Sequence, residues 1–148
     1  MKELNQMTLI FDARSVNESF ARVTAAAFLS QLDPTLQEIA EIKTIVSEAV
    51  TNCIVHGYRD NPGTIRLKVQ IFENHKIRIT VRDRGRGIPD IPKAMTPCFT
   101  TGNDDRAGMG FSIMQGFSDH IRVRSLPEKG TTVVMEKYIG GRHERNNL

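Results

Sequence analysis

Two neighbouring segments alternate strictly between apolar and polar residues, and they restrict the fold more than any other feature of the chain. From Thr64 to Phe72, Ile65, Leu67, Val69 and Ile71 share one side; from Lys76 to Arg82, Ile77, Ile79 and Val81 do the same. Successive side chains in a strand point to opposite faces, so each segment predicts a strand that is apolar on one face only. The polar connection Glu73-Asn74-His75 is short enough for a hairpin. An antiparallel pair with one apolar face needs a cover, and helices on that face supply it.

Two helices are predicted upstream. Met7 to Phe11 (MTLIF) reads as a first strand, and Ser15-x-x-Glu18 has the form of a capping box that starts a helix. Val16, Phe20, Val23 and Ala27 follow at helical spacing as its expected core stripe, with Glu18 and Arg22 on the wetter side. Asp33-Pro34 is a second start signal, predicting a helix from about Pro34 to His56 that stops at Gly57. Its apolar stripe holds Ile39, Ile42, Val46, Ala49, Val50 and Cys53. Asn52 falls at the edge of that stripe and Glu48 just outside it. Four residues apart, the two stack on one side of the helix, at the rim of the core. A carboxylate beside a carboxamide offers hard oxygen ligands of the kind Mg²⁺ uses when substrate phosphates supply the rest.

Asp83 continues the parity of Ile77, Ile79 and Val81, so it points to the covered side just where the strand ends. A buried carboxylate must bond either backbone donors or a ligand. The next 25 or so residues, Gly85 to Gly110, are rich in Gly, Pro and short polar residues, with room for a short helix near Ile91 to Met95. An irregular stretch of that length inside a small domain is commonly a functional lid. Gly108-Met109-Gly110 then opens a helical pattern to Phe117, a start at which an anion can approach free N–H groups. His120 to Ser125 and Thr131 to Tyr138 read as closing strands around the turn Pro127-Glu128-Lys129-Gly130.

The length of 148 residues suits one domain, expected over 1–139, with a polar tail at 140–148 expected to be disordered. No apolar run is long enough for a membrane span, which makes a cytoplasmic protein the expectation. Cys53 and Cys98 form no CxxC and read as free thiols. A net charge of +3 is too small to argue for nucleic acid, and the polar sheet face carrying Arg66, Lys68, Arg78, Arg82, Arg122 and Arg124 lacks interleaved aromatics, so it reads as solvated. There is no phosphate loop of the GxxxxGK[ST] type, and Gly85-Arg-Gly87-Ile-Pro-Asp90 lacks the third glycine of a dinucleotide turn.

Taken in order, the Glu48/Asn52 pair, Asp83-Arg-Gly85-Arg-Gly87, Gly108-x-Gly110 and Gly130-Thr131-Thr132 resemble the N, G1 and G2 boxes of the GHKL ATPase/kinase superfamily. The fold this implies is α+β: a two-layer sandwich of the Bergerat type, with a mostly antiparallel sheet and helices on one face. A narrower resemblance spans nearly the whole chain. Asn17-Glu-Ser-Phe-Ala-Arg22, Ser47-Glu-Ala-Val-Thr-Asn52, His56-Gly-Tyr58, Val81-Arg-Asp83, Phe99-Thr-Thr101 and Gly108-Met-Gly-Phe111 are similar to the anti-sigma F family of the sporulation switch.

That resemblance implies an enzyme and a regulator in one chain. The family holds a sporulation sigma factor inactive and phosphorylates a serine of an anti-anti-sigma protein, using ATP and Mg²⁺. Carried over, Asn52 would coordinate Mg²⁺ and Glu48 would be the base on the serine hydroxyl. Asp83 would accept from the adenine amino group, with Gly85, Gly87 and Thr131 around the base. Arg106, Gly108 and Gly110 would attend the phosphates, and Thr100 and Thr101 would also belong to the nucleotide site. Arg22 would contact partner proteins, and the first strand and helix would form a homodimer. The lid departs from the family pattern: Gly102 stands where relatives often have lysine, with Asp104 and Asp105 beside it. Two alternatives stay open, a nucleotide-dependent sigma-binding module without significant kinase activity and a detached histidine kinase ATP-binding domain.

Overall fold

A computed structural model of the chain describes residues 1–88 and 109–140. Five strands form one antiparallel sheet: β1 (Glu3–Asp12), β2 (Thr64–Phe72), β3 (Lys76–Asp83), β4 (His120–Leu126) and β5 (Gly130–Tyr138). Their spatial order is β1-β2-β3-β5-β4. Three helices cover one face: α1 (Val16–Leu29), α2 (Leu36–Asn52) and α3 (Gly110–Phe117). The expected α+β architecture, with helices on one side of a mostly antiparallel sheet, is what the chain adopts. Among the described residues no helix is long and apolar enough to cross a membrane.

The hairpin register follows from the alternation. Leu67 faces Val81, Val69 faces Ile79 and Ile71 faces Ile77, and all six are essentially inaccessible to solvent. A slip of one residue would turn every one of them to water, so the buried face pins the pairing. The connection Glu73–His75 is a single 3-10 turn with Asn74 and His75 at positive φ. β1 is longer than the apolar run that announced it, because β2 offers a hydrogen-bonding partner along its whole length.

α2 buries Ile42, Ile45, Val46, Ala49 and Val50, close to the expected stripe, with Ile39 only half-buried. Its start differs from expectation. Thr35, not Asp33, is the cap: its hydroxyl accepts from Glu38 N at 3.0 Å, and Glu38 Oε1 accepts from Thr35 N at 2.8 Å. Two orphan donors are thereby satisfied reciprocally, whereas Asp33 closes the preceding turn with φ of 52°. Ser15 makes no side-chain cap to α1: its backbone is already helical, where a capping residue is extended, and the Glu18 side chain turns to Arg22 instead.

α1 is phased opposite to expectation. Its buried residues are Ala21, Ala25, Ala26 and Leu29, while Val16 (70 %), Phe20 (55 %) and Val23 (50 %) are exposed. The small alanines let the helix pack closely on α2 and the sheet. The larger apolar residues therefore form a stripe on the outer side.

At the other end of the chain, Ile139 is fully buried. Gly140 is also buried, its N–H directed at Glu38 Oε2, 3.3 Å away. The rest of the expected tail, 141–148, lies outside the described residues, as do most of the expected lid and its short helix near Ile91 to Met95.

Candidate functional site

The end of α2 organises the site. Glu48 and Asn52 both reach the first residue of α3. A Cβ added to Gly110 would lie 3.3 Å from Glu48 Oε2 and from both amide atoms of Asn52. Glycine gives the start of α3 this close approach without displacing either side chain; a larger residue would push them back. Asn52 Nδ2 is buried without a hydrogen-bond partner among the described residues, and a buried donor left that way costs stability unless something else engages it. The first turn of α3 adds backbone N–H groups and the positive end of a helix dipole on the same side.

After Asn52 the helix widens into one π-helical turn, Cys53–Gly57, a feature that often marks functional positions. This turn ends beneath Asp83. The Asp83 carboxylate is 4 % exposed and accepts from Gly85 N at 2.9 Å. Gly57 lies so close that a Cβ there would meet the carboxylate atoms at 3.0–3.1 Å. Burial pushes the Asp83 carboxyl above its ordinary value, with the Gly85 N–H, the Cys53 thiol and the Thr131 N–H pulling the other way. The Cys53 thiol is driven well up by its own burial and by the Asp83 charge, so it stands as a neutral donor to Asp83.

The turn after β3 is held from several sides. The Tyr58 hydroxyl donates to Thr64 O at 2.6 Å and accepts from Arg84 N at 2.7 Å. Arg86 donates from its backbone to Gly57 O at 2.9 Å and from Nε to His56 O at 2.8 Å. Gly85 packs so tightly on the Gly57 carbonyl that any Cβ would collide with it, and Gly87, at φ of 79°, does the same against the Leu126 carbonyl. Both glycines expected near an adenine thus have a packing reason as well.

Thr131 faces Asp83 across the β3–β5 pairing and is buried. Its hydroxyl lies 2.9 Å from Ser125 Oγ, which in turn accepts from Ile88 N at 2.6 Å. So the structure brings Glu48, Asn52 and Gly110 together at one end of the site and Asp83, Gly85, Gly87 and Thr131 at the other, with the close of α2 joining them. Thr100, Thr101, Arg106 and Gly108 lie outside the described residues, as do Gly102, Asp104 and Asp105. Arg22 belongs to neither group; on α1 its Nη1 contacts both Glu18 oxygens at 2.7–2.8 Å, and its side chain is 38 % exposed.

Sequence reasoning missed Cys53, Gly57, Tyr58 and Ser125 as members of the site. Ser125 could have been found, since it continues the inward parity of Ile121 and Val123 as Asp83 continues that of β3. Gly57 read only as a helix stop. Its closeness to Asp83 depends on the π turn, which leaves no mark in the apolar spacing.

The fold and this site define a class. Residues 11–137 match the family described as Histidine kinase-like ATPase domain. Among solved structures, that of the RsbU and RsbW domains of a Mycobacterium tuberculosis protein contains the same fold over part of its length, with a TM-score of 0.68 at 20% identity over 92% of this chain and 33% of that one. A blue-light activated histidine kinase of Erythrobacter litoralis gives 0.58 at 22% identity, covering 82% of this chain and 42% of that one.

Similarity to curated proteins is much higher. An anti-sigma F factor of a Thermoanaerobacter species is 58% identical over 141 residues, 95% of this chain and 98% of that protein. Those of Geobacillus kaustophilus and Bacillus licheniformis are 56% and 52% identical, each covering 91% of this chain and 93% of theirs. The chain belongs to the anti-sigma F factor family, within the histidine kinase-like ATPases.

Proposed function

We propose that this chain is an ATP-dependent protein serine kinase that is also an anti-sigma factor: it binds a sporulation sigma factor, and it phosphorylates a serine of an anti-anti-sigma protein with ATP and Mg²⁺. The observation that carries this reading is the convergence on Gly110, at the start of α3, of Glu48 and of Asn52, whose buried Nδ2 has no partner among the described residues and could donate to a phosphate oxygen while its Oδ1 faces the metal. The donor set fits a magnesium nucleotide: one carboxamide, one carboxylate, glycine backbone where phosphates approach, and a buried carboxylate met by N–H groups and a thiol but by no cation among the described residues. Mg²⁺, when bound, would neutralise phosphate charge.

Each residue has a distinct task in this reading. Asn52 offers its amide oxygen to the metal. Glu48, half-buried at the rim, takes the proton of the attacking serine hydroxyl. Asp83 accepts from the exocyclic amine of adenine, the Cys53 thiol and Gly85 N–H holding the carboxylate in place from behind. Thr131 and Gly87 border the base, and Gly110 brings backbone N–H groups to the phosphates. Arg106 and Gly108 are assigned to the phosphate side, and Thr100 and Thr101 to the nucleotide site, on the family pattern alone.

The outer stripe of α1 supports the protein-binding half of the proposal. Val16, Phe20 and Val23 expose a contiguous apolar row with Arg22 beside it, and such rows mark interaction surfaces. We assign β1 and α1 to a homodimer and Arg22 to partner contact, acting in the cytoplasm. The test is reconstitution: this chain, ATP, Mg²⁺ and the anti-anti-sigma protein should yield acid-stable phosphoserine, and sigma factor should be retained in ATP but less in ADP. Acid-labile product, or sigma retention indifferent to nucleotide, would overturn it.

A further inference from the structure

The face of the sheet turned away from the helices carries a row of cations without counter-charges. Pairing across the strands sets Ile10 opposite Arg66, Arg66 opposite Arg82, Arg82 opposite Thr132 and Thr132 opposite Arg124. Lys68 and Arg122 stand in the next row. Like charges directly opposite one another on neighbouring strands destabilise a sheet. Among the described residues no salt bridge relieves Arg66, Arg82 or Arg124. The one acid in the middle of this face, Glu136, is already taken by Arg78 at 2.8 Å and Lys76 at 3.3 Å. At the β1–β3 end the row opens into a concavity of about 460 Å³ lined by Arg66, Arg82, Arg84, Ile10 and Tyr58.

We propose that this row is a docking surface for an acidic, extended segment of a partner protein, separate from the nucleotide site and from the α1 stripe. It does not rest on the reading given above. Neighbouring strands lie about 4.8 Å apart, so the stems from Arg66 on β2 to Arg124 on β4, three strands away, span about 14 Å, and acidic residues at alternate positions of an extended segment span nearly the same over five residues. Guanidinium forks grip carboxylates through two hydrogen bonds. The row is flanked by exposed apolar residues, Ile10 (56 %) on β1 and Leu126 (63 %) on β4. These anchors suit the apolar side chains of a peptide and serve nothing on a phosphate backbone. The one aromatic lining the concavity, Tyr58, has its hydroxyl engaged by Thr64 O and Arg84 N, and no aromatic stands between Arg82 and Arg124 along the row to stack successive bases.

The probe is a labelled peptide with glutamate at three alternate positions and leucine at both ends, followed by fluorescence anisotropy on the full chain at several salt concentrations. Binding should weaken with salt and fall about tenfold or more in Arg66→Gln/Arg82→Gln. It should fall likewise in Arg124→Gln, at the far end of the row, so that a folding defect in the double variant cannot hide the result. Arg78→Gln, whose charge Glu136 already engages, should change it little, and the glutamine version of the peptide should not bind. No peptide binding, or binding indifferent to both sets of variants, overturns the proposal. A 20-base-pair DNA duplex that binds more tightly than the peptide and is lost in the same variants also overturns it, in favour of nucleic acid.

Discussion

Asp83 and Glu136 lie on adjacent strands of the same sheet, on opposite faces, and the protein treats them in opposite ways. Glu136 is met by two cations. Burial raises its carboxyl, but Arg78 and Lys76 outweigh that and bring it below its ordinary value. Among the described residues Asp83 meets no cation. It is served by backbone N–H groups and a thiol, and burial leaves its carboxyl raised. A charge that the fold satisfies by itself is a structural element; a buried charge left under-supplied is a cost that binding a donor-bearing ligand can repay. The contrast singles out Asp83 without any appeal to its neighbours in sequence.

The sharpest extension of that comparison is to the third carboxylate, Glu48. If it is the base, Glu48→Gln should keep nucleotide binding but lower phosphoryl transfer by about 10²–10⁴-fold, read as phosphoserine formed per unit time. Undiminished transfer removes Glu48 from that role. Next in size, Asp83→Asn should weaken binding of a fluorescent ATP analogue by about 10- to 100-fold, since it costs a charged acceptor. Its thermal midpoint should hold or rise, because a buried charge has gone. Loss of folding instead would mean that Asp83 is structural, like Glu136.

The pH dependence of the two variants should differ in sign. With a raised folded value, Asp83 loses nothing in acid. As pH climbs past the ordinary carboxylate value near about 3.9, the unfolded chain ionises first and the native state is penalised until the folded value is passed. The stability advantage of Asp83→Asn should therefore grow across that window. Glu136, with a lowered folded value, stabilises above the ordinary value and loses that contribution as pH falls through the folded one. The gap between wild type and Glu136→Gln should close on acidification. Denaturant midpoints from about pH 3 to 7 read both: relative to wild type, Asp83→Asn should gain and Glu136→Gln should lose stability as pH rises, and variants that shift in the same direction relative to wild type would break the contrast. The smallest effect is Glu136→Gln itself at neutral pH: about 1 kcal/mol of stability lost, with nucleotide affinity unchanged.

The two long helices show how far apolar spacing can be trusted. In α2 the apolar stripe and the core face coincide, because the helix lies across the sheet with one broad side buried. In α1 the same arithmetic selects Val16, Phe20 and Val23, which face outward, while the alanines that touch the core are too small to register. Spacing reports where the bulk of apolar side chains lies. Which side meets the sheet depends on how closely the helix must approach α2.

The amino-acid sequence by itself determined the hairpin, the one-sided sheet, the inward aim of Asp83 and the stacking of Glu48 on Asn52, since each follows from strand alternation or the i, i+4 spacing of a helix within a short stretch of chain. Only the tertiary structure decided that Gly110 closes on Glu48 and Asn52, that a π turn carries Cys53 and Gly57 beneath Asp83, and that Ser125 backs Thr131. Those contacts join elements far apart in the chain. They depend on packing distances between elements, which no local pattern encodes.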